Sequence, residues 1–150
     1  MPLSKPKSIL IAEDTKAIRT IIAFLLRSRG FDVVESANGT DALEKALTLR
    51  PDLIVLDVIM PGMTGFDVCS YLKANEETRD IPILILTSVT SSSGKSDEHW
   101  KRISNADEFV SKPFKAHDLV ERIDRLLEKR SETRRMERRS TSGEEGEALK

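Results

Sequence analysis

Two patterns alternate along this chain, and the alternation leaves few folds open. Short, nearly continuous apolar runs are each followed by a segment whose apolar residues return every three or four positions. Ser8 to Ala12 (SILIA) leads into Ala17, Ile18, Ile21, Ile22, Leu25 and Leu26, with Gly30 as the stop. Phe31 to Glu35 (FDVVE) leads into Gly39 to Leu49, where Ala42, Leu43, Ala46 and Leu47 share a face before Pro51. Asp52 to Leu56 (DLIVL) precedes a segment from about Thr64 to Ala74, and Ile83 to Leu86 (ILIL) precedes a weaker one from about Lys95 to Ile103. A fifth run, Glu108 to Ser111, is followed by a last helix from about Ala116 through Leu127. Apolar runs without polar alternation are strands buried on both faces, whereas the three-and-four spacing is the stripe of an amphipathic helix. Five strands alternating with five helices predict an open α/β fold, with parallel strands joined by right-handed crossovers and helices on both faces.

The size agrees, since 150 residues suit one ordinary core. The 24 basic and 25 acidic residues nearly cancel, which argues against a uniformly basic nucleic-acid binder. A single cysteine, Cys69, excludes an internal disulfide and a thiolate metal cluster, and it suits a reducing cytoplasm. His99 and His117 have no second histidine or cysteine near them in sequence, which argues against a transition-metal site. The apolar run Ile9 to Ala12 is cut short by Glu13 and Asp14, so no signal peptide is read, and no run of about 18 apolar residues occurs to span a bilayer. The expected location is cytoplasmic.

In open α/β sheets, ligands bind beyond the carboxyl ends of the strands. There the first strand delivers Glu13 and Asp14, the third Asp57, the fourth Thr87 and the fifth Lys112. Carboxylates crowded together repel unless a cation intervenes, and hard oxygen ligands suit Mg²⁺ or Mn²⁺. A cation, an ammonium and a hydroxyl around one carboxylate form a receptacle for a phosphoryl group, with the carboxylate as nucleophile. Asp57 would become an acyl phosphate.

These residues carry a resemblance. Glu13-Asp14, DVIMPGMTG from Asp57 to Gly65, Leu86-Thr87-Ser88, and Phe109-Val110-Ser111-Lys112-Pro113-Phe114 resemble, in order and spacing, the receiver domain of two-component response regulators. The resemblance spans residues 7–128, leaving a short extension at 1–6 and a charged one at 129–150, expected to be partly helical and then disordered. It implies a flavodoxin-like (βα)5 fold with strand order 2-1-3-4-5. It makes Asp57 the phosphoacceptor, with Glu13, Asp14, Asp57 and the backbone carbonyl of Ile59 as metal ligands. It makes Thr87 and Lys112 binders of the phosphoryl oxygens, with Phe109 as a switch aromatic that turns inward as Thr87 moves. It also implies a cis Lys112-Pro113 bond.

Ile59 and Val89, each two residues beyond an expected site residue, cannot hydrogen-bond a hydrolytic water. Slow self-dephosphorylation is therefore expected, and no other enzymatic activity. A phosphohydrolase would want a second acid where Ile59 stands. Three departures from the family pattern stand out: Glu13 in place of the commoner aspartate, Asn105-Ala106 in place of Gly-Ala, and a long segment between Thr87 and Lys112. The expected partners are a sensor histidine kinase or phosphotransfer protein and a downstream protein. A homodimer through the fourth helix, fifth strand and fifth helix is a further possibility. Six basic residues against two acidic ones lie between Lys129 and Arg139, but without the periodicity of a helix-turn-helix, so no sequence-specific DNA binding is expected. The alternative function is a receiver-fold scaffold that works without phosphorylation.

Overall fold

A computed structural model describes residues 5–87 and 105–148, with side chains as far as Glu137. The expected helix from Lys95 to Ile103, together with Val89, His99 and Trp100, lies outside the described residues. Strands β1 (Ser8–Ala12), β2 (Asp32–Ser36), β3 (Leu53–Asp57), β4 (Ile83–Thr87) and β5 (Glu108–Ser111) alternate with helices α1 (Lys16–Ser28), α2 (Gly39–Leu49) and α3 (Gly65–Ala74). The C-terminal helix, Ala116–Ala148, follows β5. The strands form one parallel sheet in the order β2-β1-β3-β4-β5. This is the flavodoxin-like order that the resemblance implies.

Alternation along each strand divides the core in two. Leu10, Ile54, Leu56, Ile83 and Ile85 face α2 and α3, meeting Ala42, Ala46, Val68 and Leu72. Ile9, Ile11, Leu53, Val55, Leu84 and Leu86 face the other way, onto Ile22 and Leu26 of α1 and Leu119, Val120 and Ile123 of the C-terminal helix. Every residue of β3 and β4 is buried. The continuous apolar runs are thus explained by helices on both sides.

Local signals set the ends. The Asn38 side chain accepts from the Asp41 amide to start α2, and Thr64 with Asp67 forms a reciprocal capping box at α3. Asn105 takes φ 62° before β5, the left-handed position that asparagine tolerates. The Lys112-Pro113 peptide is cis. At the open edge of the sheet, Arg27 Nη2 donates to the Val33 carbonyl at 3.3 Å and Lys45 Nζ to the Glu35 carbonyl at 2.7 Å.

The C-terminal helix differs from its expectation. It runs 33 residues to Ala148, past Leu127 and through most of the 129–150 extension that is expected to be only partly helical. Its apolar stripe does stop at Leu127, but the next turn still holds the sheet, because Arg130 Nη1 donates to the Asp52 carbonyl at 2.8 Å. Burial lowers the Arg130 pKa, with Arg134 adding to the effect. No described helix is long and apolar enough to cross a membrane.

Candidate functional site

The parallel strands all point their carboxyl ends at one rim, and registry sets its depth. Ala12 lies beside Leu56, Asp57 beside Leu86, and Thr87 beside Ser111. Glu13 and Asp14 therefore leave β1 level with Asp57, the last residue of β3. Carboxylate oxygens of Glu13, Asp14 and Asp57 all lie within 4.8 Å of one another. Glu13 is fully buried and Asp57 is 6% exposed, while Asp14 is open to solvent.

Lys112 reaches into this cluster. Its Nζ stands 2.7 Å from Glu13 Oε1 and 2.9 Å from Asp57 Oδ1. Burial pulls the lysine pKa down, but the bonds to the two carboxylates outweigh it, and the net shift is upward. The ammonium stays charged. Its backbone is tied to the neighbouring strand, since the Lys112 amide donates to the Thr87 carbonyl at 2.8 Å. Thr87 itself is fully buried at the end of β4.

Phe109 is already inside, 4% exposed, with its ring 6.3 Å from that of Phe66. Its backbone is held from the C-terminal helix: Arg122 Nη1 donates to the Phe109 carbonyl at 3.3 Å and pairs with Glu108 at 2.8 Å. The Ile59 side chain, in the loop after Asp57, is exposed. Met60 packs in the core, and Cys69 is a buried thiol whose pKa burial pushes up to about 12, which removes any thiolate chemistry at neutral pH.

Three residues outside the expected set support the site. Arg19 of α1 donates to the Glu13 carbonyl at 2.7 Å and pairs with Glu35 of β2, so it pins the acidic loop between helix and sheet. Gly39 and Gly65 let α2 and α3 start against the end of β3 and the loop that follows Asp57. A Cβ at Gly39 would overlap the Met63 carbonyl, and one at Gly65 would overlap the Asp57 carbonyl. The Gly65 signal is present in the MPGMTG turn; Arg19 has none, because its partner is a backbone atom six residues away.

The donor set fits a hard divalent cation. It offers three carboxylates, two of them in a largely buried pocket, and a single lysine cannot neutralise all three.

Comparison with known proteins agrees with this geometry. The family model for the response regulator receiver domain matches residues 9–124. The DNA-binding response regulator MtrA of Mycobacterium tuberculosis is 38% identical over 115 residues, which is 77% of this chain and 48% of MtrA. The chain spans about half the length of the curated relatives it matches. Among solved structures, the chemotaxis response regulator CheY4 of Vibrio cholerae superposes with a TM-score of 0.73 at 31% identity, covering 81% of this chain and 98% of that one. The receiver domain of the sensor histidine kinase PA1611 of Pseudomonas aeruginosa, described with a magnesium ion coordinated in its active-site cleft, gives 0.73 at 29% identity over 81% and 98% of the two chains.

The MtrA match corrects the expected partners. The expectation of no DNA binding rests on the lack of a helix-turn-helix pattern in these 150 residues, yet MtrA is a DNA-binding regulator and the match covers only about half of it. The missing pattern therefore says nothing about what a protein carrying such a half contacts. What the rim, the strand order and the matched residues establish together is narrower: this chain belongs to the response regulator receiver domain family of two-component systems.

Proposed function

We propose that the chain is a phosphoacceptor switch in which Asp57 takes a phosphoryl group from a sensor histidine kinase, a phosphotransfer protein or a small acyl phosphate. The observation that carries this reading is the Asp57 carboxylate at the end of β3, almost buried and 2.9 Å from the Lys112 ammonium. In the transfer, an Asp57 oxygen attacks phosphorus in line with the leaving group. The phosphorus–nitrogen bond of a phosphohistidine breaks, its imidazole retains the bonding electrons and takes up a proton, and an acyl phosphate is left on Asp57. Lys112 turns its charge to the arriving phosphoryl oxygens, and the Thr87 hydroxyl donates to one of them. Glu13, Asp14, Asp57 and the Ile59 carbonyl would hold Mg²⁺ or Mn²⁺, which when bound supplies further neutralisation of phosphoryl charge. The Thr87 and Phe109 positions pass the change to the surface, shifting an existing equilibrium rather than creating a new state. The proposed activity is confined to phosphorylation of Asp57 from a phosphodonor and slow self-dephosphorylation, and the proposed compartment is the cytoplasm.

Incubation with acetyl phosphate and Mg²⁺, borohydride trapping and peptide mass spectrometry test the reading. A single modified aspartate at position 57 is the expected result; modification elsewhere, or none, overturns it. The phosphorylated form should also persist. Ile59 offers no hydrogen bond to orient a water, so phosphate release should have a half-life well beyond seconds, and a half-life of seconds in a release assay would contradict that role for Ile59.

A further inference from the structure

Glu13 is bound at every polar atom by the protein itself. Its amide donates to the Ser36 carbonyl at 3.0 Å, and its carbonyl accepts from Arg19 at 2.7 Å. Its Oε2 accepts from the Thr15 amide at 3.2 Å, and its Oε1 from Lys112 Nζ at 2.7 Å. The first two bonds fix its backbone, and the third holds one carboxylate oxygen. Only the last is to a group that could be exchanged for a cation. Lys112, whose own backbone is held by Thr87, reaches that oxygen from the far side of the sheet.

Building on the proposed cation site, we propose that Lys112 and the divalent cation compete for Oε1 of Glu13, so that the length of this acid sets how tightly the cluster binds its cation. A half-buried ammonium on a fully buried carboxylate is a charge-assisted bond at a site that water screens only in part. A cation reaching Glu13 must displace it. An aspartate on the same fixed backbone would end one carbon–carbon bond sooner, roughly 1.5 Å, and would lose the lysine while leaving Lys112 on Asp57. Removing the competitor raises the affinity for the cation even though the acid is shorter. The reciprocal also holds: cation binding frees Lys112 from Glu13 and leaves it facing Asp57 and an incoming phosphoryl group.

Titration calorimetry of the unphosphorylated full chain with Mg²⁺, under conditions where circular dichroism shows it folded, tests this. Glu13→Asp should bind Mg²⁺ about fivefold or more tightly than the unchanged chain. Lys112→Met should also bind more tightly, and its gain should be smaller when made in the Glu13→Asp background, because part of the competition is already gone. Equal or weaker binding by folded Glu13→Asp overturns the proposal, as do fully additive gains. If Glu13→Asp fails to fold, Lys112→Met alone decides: unchanged or weaker binding refutes the competition. Absence of Mg²⁺ binding by the unchanged chain is a different result, since it removes the cation site itself.

Discussion

Asp57→Asn should abolish phosphorylation without unfolding the protein. The amide is nearly isosteric with the carboxylate but is a poor nucleophile, so label uptake from acetyl phosphate should fall at least about a thousandfold, to background. Two features predict that the fold survives. Lys112 keeps its 2.7 Å bond to Glu13, so the half-buried ammonium is not left alone. One of three carboxylates within 4.8 Å also loses its charge, which relieves repulsion. Stability should therefore stay within about 1 kcal/mol of the unchanged protein, or rise. A variant that melts normally and still takes up label at an undiminished rate would move the acceptor away from Asp57.

The second large effect concerns a residue with no chemistry of its own. Gly65→Ala places a methyl group against the Asp57 carbonyl, and Gly39→Ala places one against the Met63 carbonyl. Both obstacles are backbone, so neither can rotate away. Overpacking of this kind costs about 3 kcal/mol, and at about 2–4 °C per kcal/mol the melting temperature should drop by about 10 °C. Gly65→Ala should do more than destabilise. It pushes on the residue that carries the acceptor, and a displacement of about 1 Å at a reacting group can cost about a hundredfold in rate. Thermal melts and phosphorylation rates of the two variants separate these effects: both should melt early, with the larger loss of rate in Gly65→Ala. Unchanged melting in both would show that the helix starts have room the structure does not display.

Much of the fold is legible in the chain because burial on both faces leaves a strong trace. SILIA, DLIVL and ILIL read as interior strands, and β1, β3 and β4 are those strands, each within a residue or so of its expected bounds. The helix α2 matches its expected limits because Asn38 and Pro51 punctuate it. Strand order is different: apolar spacing is the same whichever neighbours pair, and the order comes only through resemblance. The C-terminal helix outruns its expected end because an apolar stripe reports only what is buried. Beyond Leu127 the backbone stays helical, and the side chains described there, as far as Glu137, are mostly exposed, with Arg130 held against Asp52. The acids and Lys112 are readable at strand ends, but the 2.7 Å reach of Lys112 to Glu13 depends on the meeting of β1 and β5 ends 99 residues apart. The DNA expectation fails for another reason: it draws on a motif missing from a stretch that matches only half of its relatives.

The two long cations that α1 and α2 lay against β2, Arg27 and Lys45, limit how this molecule can be approached. Asp32 and Ser36 turn their backbone bonds toward β1, so alternation turns Val33 and Glu35 outward, and the carbonyls of those two residues are the ones Arg27 and Lys45 occupy. A strand arriving from another chain would have to strip off both charge-assisted bonds before it could form its own. The sheet is thereby guarded against growth by strand addition on this side, the route by which exposed edges seed aggregation. Recognition of the β2 side must instead pass through helix surfaces and loops, which leaves the rim free to change its contacts while the sheet beneath it stays closed.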